Sequence, residues 1–338
     1  MKYKSYLAMS VFFLLGFANL TASPSSVIVI GGGPTGLGAA IEARKAGAEV
    51  ILVEKRDEYT RQNTLFLYTV TLELFEKWNA RILRMEELEF RGERRGFVLI
   101  KDLETSLAQR ADELGIQRIQ GEFIDFVEDS HTAVIQTSHG NKLLPYDVLV
   151  GADGTHSRVR EKLGIACHSL GESTGGISMV PAINLENKII AEIQPHAEVF
   201  AKKVFVPFAT ILFIQHKSGA FLKNLNLNEM IQFVSEVGWH EEAMKMEAGS
   251  LFNLENIPVC LQRAAVFSDS VQGVILLGDA ASSASFYQGT GVNFSFKTTQ
   301  LAGELFRNWP QEESYERFNC DMEIEVAGLI DSSLPLFK

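Results

Sequence analysis

Gly31-Gly32-Gly33-Pro34-Thr35-Gly36 follows the apolar run Val27-Ile28-Val29-Ile30 and precedes the helix-like stretch Leu37 to Ala46. Eighteen residues beyond Gly36 stands Glu54, which closes a second apolar run, Val50-Ile51-Leu52-Val53. Strand, glycine loop, helix, strand and terminal acid in this order make a dinucleotide site. Gly31 permits the tight turn out of the strand, Gly33 lets the backbone approach a pyrophosphate, and Gly36 lets the helix pack close to the strand. The helix N-terminus, with Pro34 and Thr35 in its first turn, then faces the phosphates. At the end of its strand the Glu54 carboxylate can accept hydrogen bonds from both ribose hydroxyls of an adenosine.

The chain has 338 residues, 46% of them hydrophobic, which suffices for two domains or one large composite domain around a well-buried core. A formal net charge of −11 excludes nucleic acid as the expected partner, because no contiguous basic stripe offsets it. Arg91 to Arg95 is short, is broken by Gly92 and Glu93, and reads as a solvated loop. Cys167, Cys260 and Cys320 lie far apart in sequence without a C-x-x-C pair, so neither a zinc knuckle nor a redox-active dithiol is written, no metal site is expected, and the thiols are expected to be free and buried. Flavin-dependent disulfide reductases, which relay electrons through two nearby cysteines, differ on this point.

Lys2 and Lys4 precede an apolar stretch from Leu7 to Leu20 and then Thr21-Ala22-Ser23-Pro24. That order is the one found in secretory signals, so residues 1–23 are expected to form a signal cleaved near Ala22 or Ser23 and to export the protein to the periplasm or beyond. Uncleaved, the same segment would be an N-terminal membrane anchor.

Along the mature chain, periodicity predicts strands at Val27 to Ile30 and Val50 to Glu54, and helices at Leu37 to Ala46 and Thr71 to Trp78. From Asp102 to Leu114 a further helix carries Leu103, Leu107, Ala111 and Leu114 on one face, ends at Gly115 and leads into a strand from Ile116 to Phe123. Phe123 to Val127 and Thr132 to Thr137 alternate around a turn at Glu128-Asp129-Ser130, and a second turn starts at His139-Gly140-Asn141, giving a meander. The apolar strand Val148-Leu149-Val150 delivers Gly151-Ala152-Asp153-Gly154, after which Ser157, Arg158 and Arg160 begin a helix. Between about Ile165 and Gln262 the pattern becomes β-rich, with strands at Lys203 to Phe208 and Thr210 to His216 and a helix at Asn228 to Val237. Finally Val274-Ile275-Leu276-Leu277 runs into Gly278-Asp279-Ala280-Ala281, and Gln288-Gly289-Thr290-Gly291-Val292-Asn293 opens a long C-terminal helix.

A strand ending in Gly278-Asp279, followed by a second glycine turn at a helix start, suits a flavin better than a nicotinamide. FAD is longer than its adenosine half, so it needs one strand end for the pyrophosphate and another for the ribityl hydroxyls, which Asp279 can accept. Backbone N–H groups of Gly289 to Asn293 can then donate to the isoalloxazine ring and stabilise negative charge on its reduced form.

Three motifs in this order, Gly31-x-Gly33-x-x-Gly36, Gly151-Ala152-Asp153-Gly154-x-x-Ser157-x-Val159-Arg160 and Gly278-Asp279-Ala280-Ala281, resemble the fingerprints of single-component FAD-dependent hydroxylases of the para-hydroxybenzoate hydroxylase type. Within that superfamily, Glu54-Lys55-Arg56-Asp57-x-x-x-Arg61-Gln62-Asn63-x-Leu65 and Gly289-Thr290-Gly291 are most similar to the flavin module of the MICAL monooxygenases. The resemblance covers nearly the whole mature chain. It implies that Glu54, Lys55 and Arg56, then Arg61, Gln62 and Asn63, line FAD, that Asp279 contacts the ribityl chain, and that Asp153 and Gly154 support the pyrophosphate and NADPH region. Ser282 and Phe286 stand where many hydroxylases carry His and Pro, so Phe286 and Tyr287 are expected as an aromatic wall beside the ring. Lys101 replaces the usual arginine at the start of its helix, keeping the charge without the bidentate geometry.

The implied fold is α/β: a Rossmann-like FAD-binding domain, with a parallel sheet and a β-meander, in two parts (residues 26–164 and 263–338) around a β-rich substrate domain (165–262). The implied activity is that of a monooxygenase, in which NADPH or NADH reduces FAD, O₂ forms a flavin hydroperoxide and one oxygen enters a substrate. Positioning a ring and excluding water need no dedicated acid or base, so His156, His168, His196, His216 and His240 read as surface or hydrogen-bonded groups. Phe205, Phe208, Phe213 and Trp239 are candidates for the substrate pocket or for core. An FAD-dependent oxidase or dehydrogenase without oxygen insertion, and a catalytically idle flavin module that binds a partner protein, are the alternatives. A nicotinamide-only dehydrogenase would not need Gly278-Asp279, and Trp78, Trp239 and Trp309 do not form the tryptophan-rich motif of flavin halogenases. Substrate and oligomeric state have no motif here.

Overall fold

Apolar strands that end in glycine turns build the first layer of the molecule. The computed structural model describes residues 23–90, 92–182, 190–206, 209–217 and 224–337, so the N-terminal segment expected as signal or anchor lies outside the described residues apart from Ser23. The chain opens with β1 (Ser26–Ile30), α1 (Pro34–Lys45) and β2 (Glu49–Glu54). A hairpin-bearing insert follows: β3 (Thr64–Tyr68), α2 (Thr69–Trp78), β4 (Glu86–Phe90) and β5 (Glu93–Leu99). Then come α3 (Ile100–Glu113), β6 (Gln117–Gln120) and the meander β7 (Glu122–Phe126), β8 (Thr132–Thr137) and β9 (Gly140–Pro145). β10 (Val148–Gly151) and α4 (Arg158–Lys162) complete this part.

The second part holds β11 (Cys167–Pro181), β12 (Ile190–Pro195), β13 (Val199–Val206), β14 (Ala209–His216), α5 (Leu227–Glu236), α6 (His240–Gly249) and β15 (Phe252–Ala264). The chain then returns to the first layer through β16 (Ser268–Asp269) and β17 (Val274–Leu276), adds β18 (Ser282–Ser283), and ends in α7 (Gly291–Asn308) and α8 (Glu312–Ser333).

One six-stranded sheet has the order β16-β17-β10-β1-β2-β6, parallel except at its β16 edge. Its central strands β17, β10, β1 and β2 are apolar on both faces, as a parallel sheet covered by helices requires, while the edge strands β6 and β16 are polar, and its core continues into α1, α3, α7 and α8. The other six-stranded sheet, β12-β13-β14-β11-β15-β18, is antiparallel, and its last strand comes from the C-terminal segment. Strict alternation divides its faces. Val199 and Ala201 of β13 with Leu212 and Ile214 of β14 pack under α5 and α6, where Trp239 and Met230 are buried. Val204 and Ile211 face the opposite way, against Phe97 of the small sheet β3-β5-β4.

Two elements differ from the sequence reading. The strand expected from Ile116 to Phe123 is divided at Gly121, where a Cβ would come within 2.7 Å of the Gln136 carbonyl oxygen; β6 stays in the parallel sheet and β7 leaves for the meander. Arg94 and Arg95, read as a solvated loop, lie in β5, paired across the β4–β5 hairpin, with Arg94 bonded to Glu87 at 2.8 Å and to Glu76 at 2.9 Å. The thiols are also less buried than expected: Cys167 and Cys320 are exposed and Cys260 is half-buried.

Helices α1, α2 and α7 are tied by one buried carboxylate. Glu42 accepts from Trp78 Nε1 at 2.6 Å and from Arg307 at 3.0 Å, while Trp78 itself is fully buried against Phe75 and Phe296. Glu42→Ala leaves the indole N–H without a partner in the core, and should lower unfolding free energy by about 1–3 kcal/mol in urea titrations; an unchanged midpoint would show that the tie carries no stability.

Candidate functional site

Four strand ends open into one cleft of about 430 Å³. Gly31, Gly33, Pro34 and Thr35 enter it from the β1–α1 turn, Glu54, Lys55 and Arg56 from the end of β2, Asp153 and Gly154 from the end of β10, Asp279 from the turn after β17, and Arg61 from the loop that leads to β3. The glycines make this convergence possible. A Cβ on Gly36 would overlap the Gly31 carbonyl oxygen, and one on Gly31 would overlap that of Ala152. Gly278, at φ 53°, would bring a Cβ to 2.5 Å from Thr35 Oγ1. At Gly33 the nearest described atom beyond its chain neighbours, Arg61 Nη2, is 3.7 Å from the Cβ position, so the space there belongs to the cleft. The first turn of α1, carrying no side-chain cap, turns its free N–H groups toward that space, which suits a phosphate.

Glu54 is held more tightly than the sequence suggests. Oε2 accepts from Gly32 N at 2.6 Å and from Arg56 Nη2 at 3.1 Å, and Oε1 accepts from the Arg56 backbone N–H at 2.9 Å and from Nε at 3.0 Å. Burial pushes this carboxyl up, but the Arg56 hydrogen bonds and charge, with the Gly32 N–H, hold it below the usual carboxylate range. A carboxylate has about four acceptor positions, and all are taken. Ribose hydroxyls can therefore reach Glu54 only when the Arg56 side chain swings away.

Asp153 spends one oxygen on the start of α4: Oδ2 accepts from the backbone N–H groups of Arg158 at 2.7 Å and Val159 at 3.2 Å. Oδ1 is buried without a partner among the described residues, as expected of an acceptor reserved for a ligand. Asp279 is exposed to the cleft and otherwise enclosed by protein. This enclosure raises its carboxyl above the ordinary value, with the Arg61 charge acting in the opposite direction.

A residue the sequence reading passed over completes the wall. Glu104 of α3 is fully buried, bridges Arg56 at 3.5 Å and Arg61 at closer range, and leaves Oε2 without a partner among the described residues. Its signal was present: Glu104 interrupts the buried helical stripe Ile100, Leu103, Leu107, Ala108, Ala111. There it fixes both guanidinium groups at the mouth of the anion site.

Beyond Arg61 a second pocket, of about 120 Å³, lies between the small sheet and the β13–β14 face. Phe66, Phe90, Phe97, Val204, Ile211 and Phe213 make it apolar, and Gly289 closes one end. Gly289 is left-handed (φ 71°), and among the described residues, its own helix and chain neighbours aside, nothing lies within 4 Å of a Cβ placed on Gly291, so the first turn of α7 is open on that side. Gln62 and Asn63 lie in the chain between Arg61, which lines the cleft, and Thr64, which lines the apolar pocket, and line neither; Gly36, Lys101, Gly278, Thr290, Gly291, Val292 and Asn293 also line neither.

Asn293, whose backbone N–H belongs to the turn read as facing the flavin ring, uses its side chain elsewhere. Its side chain accepts from Tyr68 N and Thr71 Oγ1, both at 2.8 Å, and donates to the carbonyls of Phe66 at 2.8 Å and Gly289 at 3.2 Å, so it clamps β3 and α2 to the start of α7. Phe286 and Tyr287 pack against Phe213 and Phe200 instead of forming a wall of either pocket. Of the aromatic pocket candidates Phe213 lines the apolar pocket, Phe205 and Trp239 bury on the helix-covered face, and Phe208 is outside the described residues. His156 lines the cleft, while His196 pairs with Glu236 and His240 with Ser235.

Residues 25–197, just over half of the chain, match the family model described as pyridine nucleotide-disulphide oxidoreductase. The chain belongs to this family. The matched span runs from the start of β1 to just past β12 and so includes the β1–α1–β2 turn and the β10 loop of the cleft, and the three cysteines of the chain are all free. Among curated relatives, the F-actin monooxygenase Mical of Drosophila melanogaster is 34% identical over 154 residues, covering 41% of this chain and 3% of that protein. The chain thus corresponds to a small portion of the curated relatives it matches. Among solved structures, the anhydrotetracycline hydroxylase OxyS of Streptomyces rimosus superposes with TM-score 0.71 at 19% identity, covering 91% of this chain and 67% of that one. The flavin-dependent brominase Bmp2 gives TM-score 0.71 at 15% identity, with 86% and 82% covered. At these identities the likeness is one of fold. This family member is accordingly an FAD-binding oxidoreductase with the fold of flavin-dependent monooxygenases.

The cleft fits FAD on its own geometry: a phosphate-sized space at Gly33, an unpartnered acceptor at Asp153 and an acid at Asp279 for ribityl hydroxyls. Because the raised Asp279 pKa disfavours the carboxylate in the folded chain, it opposes folding above that raised value, and this opposition fades as pH falls to the ordinary carboxyl range. Asp279→Asn should therefore raise the Tm of ligand-free protein at pH 7, the gain vanishing toward about pH 4, while FAD retention after gel filtration falls. Unchanged flavin content would remove Asp279 from the site.

Proposed function

We propose that this protein is an NAD(P)H-dependent FAD monooxygenase that inserts one atom of O₂ into a substrate held in the apolar pocket. One observation supports this reading: the strand-end cleft and an apolar pocket are joined in the chain by residues 61–64, Arg61 lining the first and Thr64 the second, and Gly289 of the glycine turn before α7 lines the apolar pocket. When bound, FAD would supply acceptance of two electrons from a nicotinamide and their use on O₂.

The chain's own residues supply position and environment. The α1 N-terminus with Arg56 and Arg61 would hold the pyrophosphate, and Glu104 keeps those guanidinium groups aimed. Asp279 would orient the ribityl chain. Backbone N–H groups at the start of α7 would stabilise negative charge on the ring. Phe66, Phe97, Ile211 and Phe213 exclude water from the space beyond it. None of these roles requires a side chain to gain or lose a proton.

Anaerobic NADPH should bleach the yellow purified protein, and readmission of ¹⁸O₂ with a turned-over acceptor should give product carrying one labelled atom. Bleaching followed only by stoichiometric hydrogen peroxide, with no labelled product from any acceptor, would identify an oxidase. Failure of both NADPH and NADH to bleach the bound flavin would overturn the reading.

A further inference from the structure

Lys202 is out of place on an apolar wall. On β13 the residues facing α5 and α6 include Lys203, which is fully paired, to Glu242 at 2.6 Å and Glu192 at 3.1 Å. Lys202 points the other way, into the pocket with Val204, Ile211 and Phe213. Among the described residues it has no carboxylate partner. Its Nζ donates to the Tyr287 carbonyl at 3.1 Å and lies 5.6 Å from the centre of the Phe213 ring and 5.8 Å from that of Tyr287. Burial pushes its ammonium below the usual lysine value, with no neighbouring charge to oppose the shift.

An ammonium carries three donors, and the Tyr287 carbonyl occupies one. Two further polar atoms in residues of this wall, Thr64 Oγ1 and Gln288 Oε1, are buried without a partner among the described residues. A half-buried, uncompensated cation destabilises the chain that holds it, and an anion placed beside it would remove that penalty. The size of the space sets a second condition: a dry cavity of about 150 Å³ accepts benzene, so about 120 Å³ limits the enclosed part of an occupant to no more than one ring or a short branched chain.

We propose that the pocket selects a compact apolar monoanion, whose carboxylate or equivalent group binds Lys202 Nζ and Thr64 Oγ1 and whose apolar body lies between Phe66, Phe97, Ile211 and Phe213. This assignment rests on the pocket being the acceptor side of the flavin site, because Gly289 forms one of its walls. Lys202 is then the residue that sets specificity, and the aromatic walls set size.

Benzoate and benzamide share a shape and differ in charge, which makes them the probes. Each is titrated into the FAD-loaded protein and followed by the flavin difference spectrum and, independently, by ligand-detected NMR. Benzoate should bind at least about tenfold more tightly than benzamide. Lys202→Gln keeps a donor for the Tyr287 carbonyl, and should abolish that preference with flavin content and far-UV circular dichroism unchanged; Lys202→Arg should retain it. If Lys202→Gln does not fold, Thr64→Val decides instead, with benzoate weakened several-fold and benzamide unaffected. Equal affinity for the two probes, no benzoate binding at concentrations on the order of 10 mM, or an undiminished preference in the variant that folds overturns the proposal. The NMR readout does not depend on flavin, so a chain that holds no FAD defeats the cofactor reading alone, while the charge preference still decides the role of Lys202.

Discussion

The contact between the backbone of Gly36 and the carbonyl oxygen of Gly31 fixes the geometry of everything around it. It lets α1 press against β1 without an intervening side chain, and so places the helix N-terminus at the mouth of the parallel sheet. The second close approach, Gly31 against Ala152, seats the β10 loop on the same spot, and Gly278 against Thr35 brings the third strand end. Backbone packing of this kind has no slack, since interiors are as dense as crystals. The acids that follow these glycines, at positions 54, 153 and 279, are consequently delivered to one cleft.

Charge then does different work in the two halves of the site. Around the cleft, Glu54 and Glu104 bind Arg56 and Arg61, so each guanidinium reaches the anion site already oriented by a carboxylate. In the apolar pocket, Lys202 has no such partner, and its field acts on whatever enters. A few polar groups set in an apolar enclosure is the ordinary construction of a ligand pocket.

Much of this was legible in the residues, because glycine spacing reports backbone constraints directly. Gly31 to Gly36, Gly151 to Gly154 and Gly278-Asp279 each mark a place where a side chain cannot fit. The β4–β5 hairpin was not legible, because Glu87, Glu89 and Arg94 charge its outer face and Glu86, Arg95 and Glu93 interrupt the inner one, leaving only Leu88, Phe90 and Phe97 as its apolar signal. Asn293 could be placed at the right turn but not assigned its partners: its four hydrogen bonds go to residues more than 200 positions away, except the one to Gly289. Phe205 and Phe213 were indistinguishable by type. The parity of their strands, set only once β13 and β14 pair, sends one to the helices and the other to the pocket.

The path of the chain after β15 has a consequence for how the molecule comes into being. Within sixteen residues, from Ser268 to Ser283, the polypeptide supplies an edge pair to the parallel sheet and the closing strand to the antiparallel one. A nascent chain that has emerged only as far as residue 262 therefore lacks the last strands of both layers and the helix that clamps them. Neither layer can mature ahead of the other, and the cleft between strand ends comes into existence only when the final quarter of the polypeptide has been threaded back.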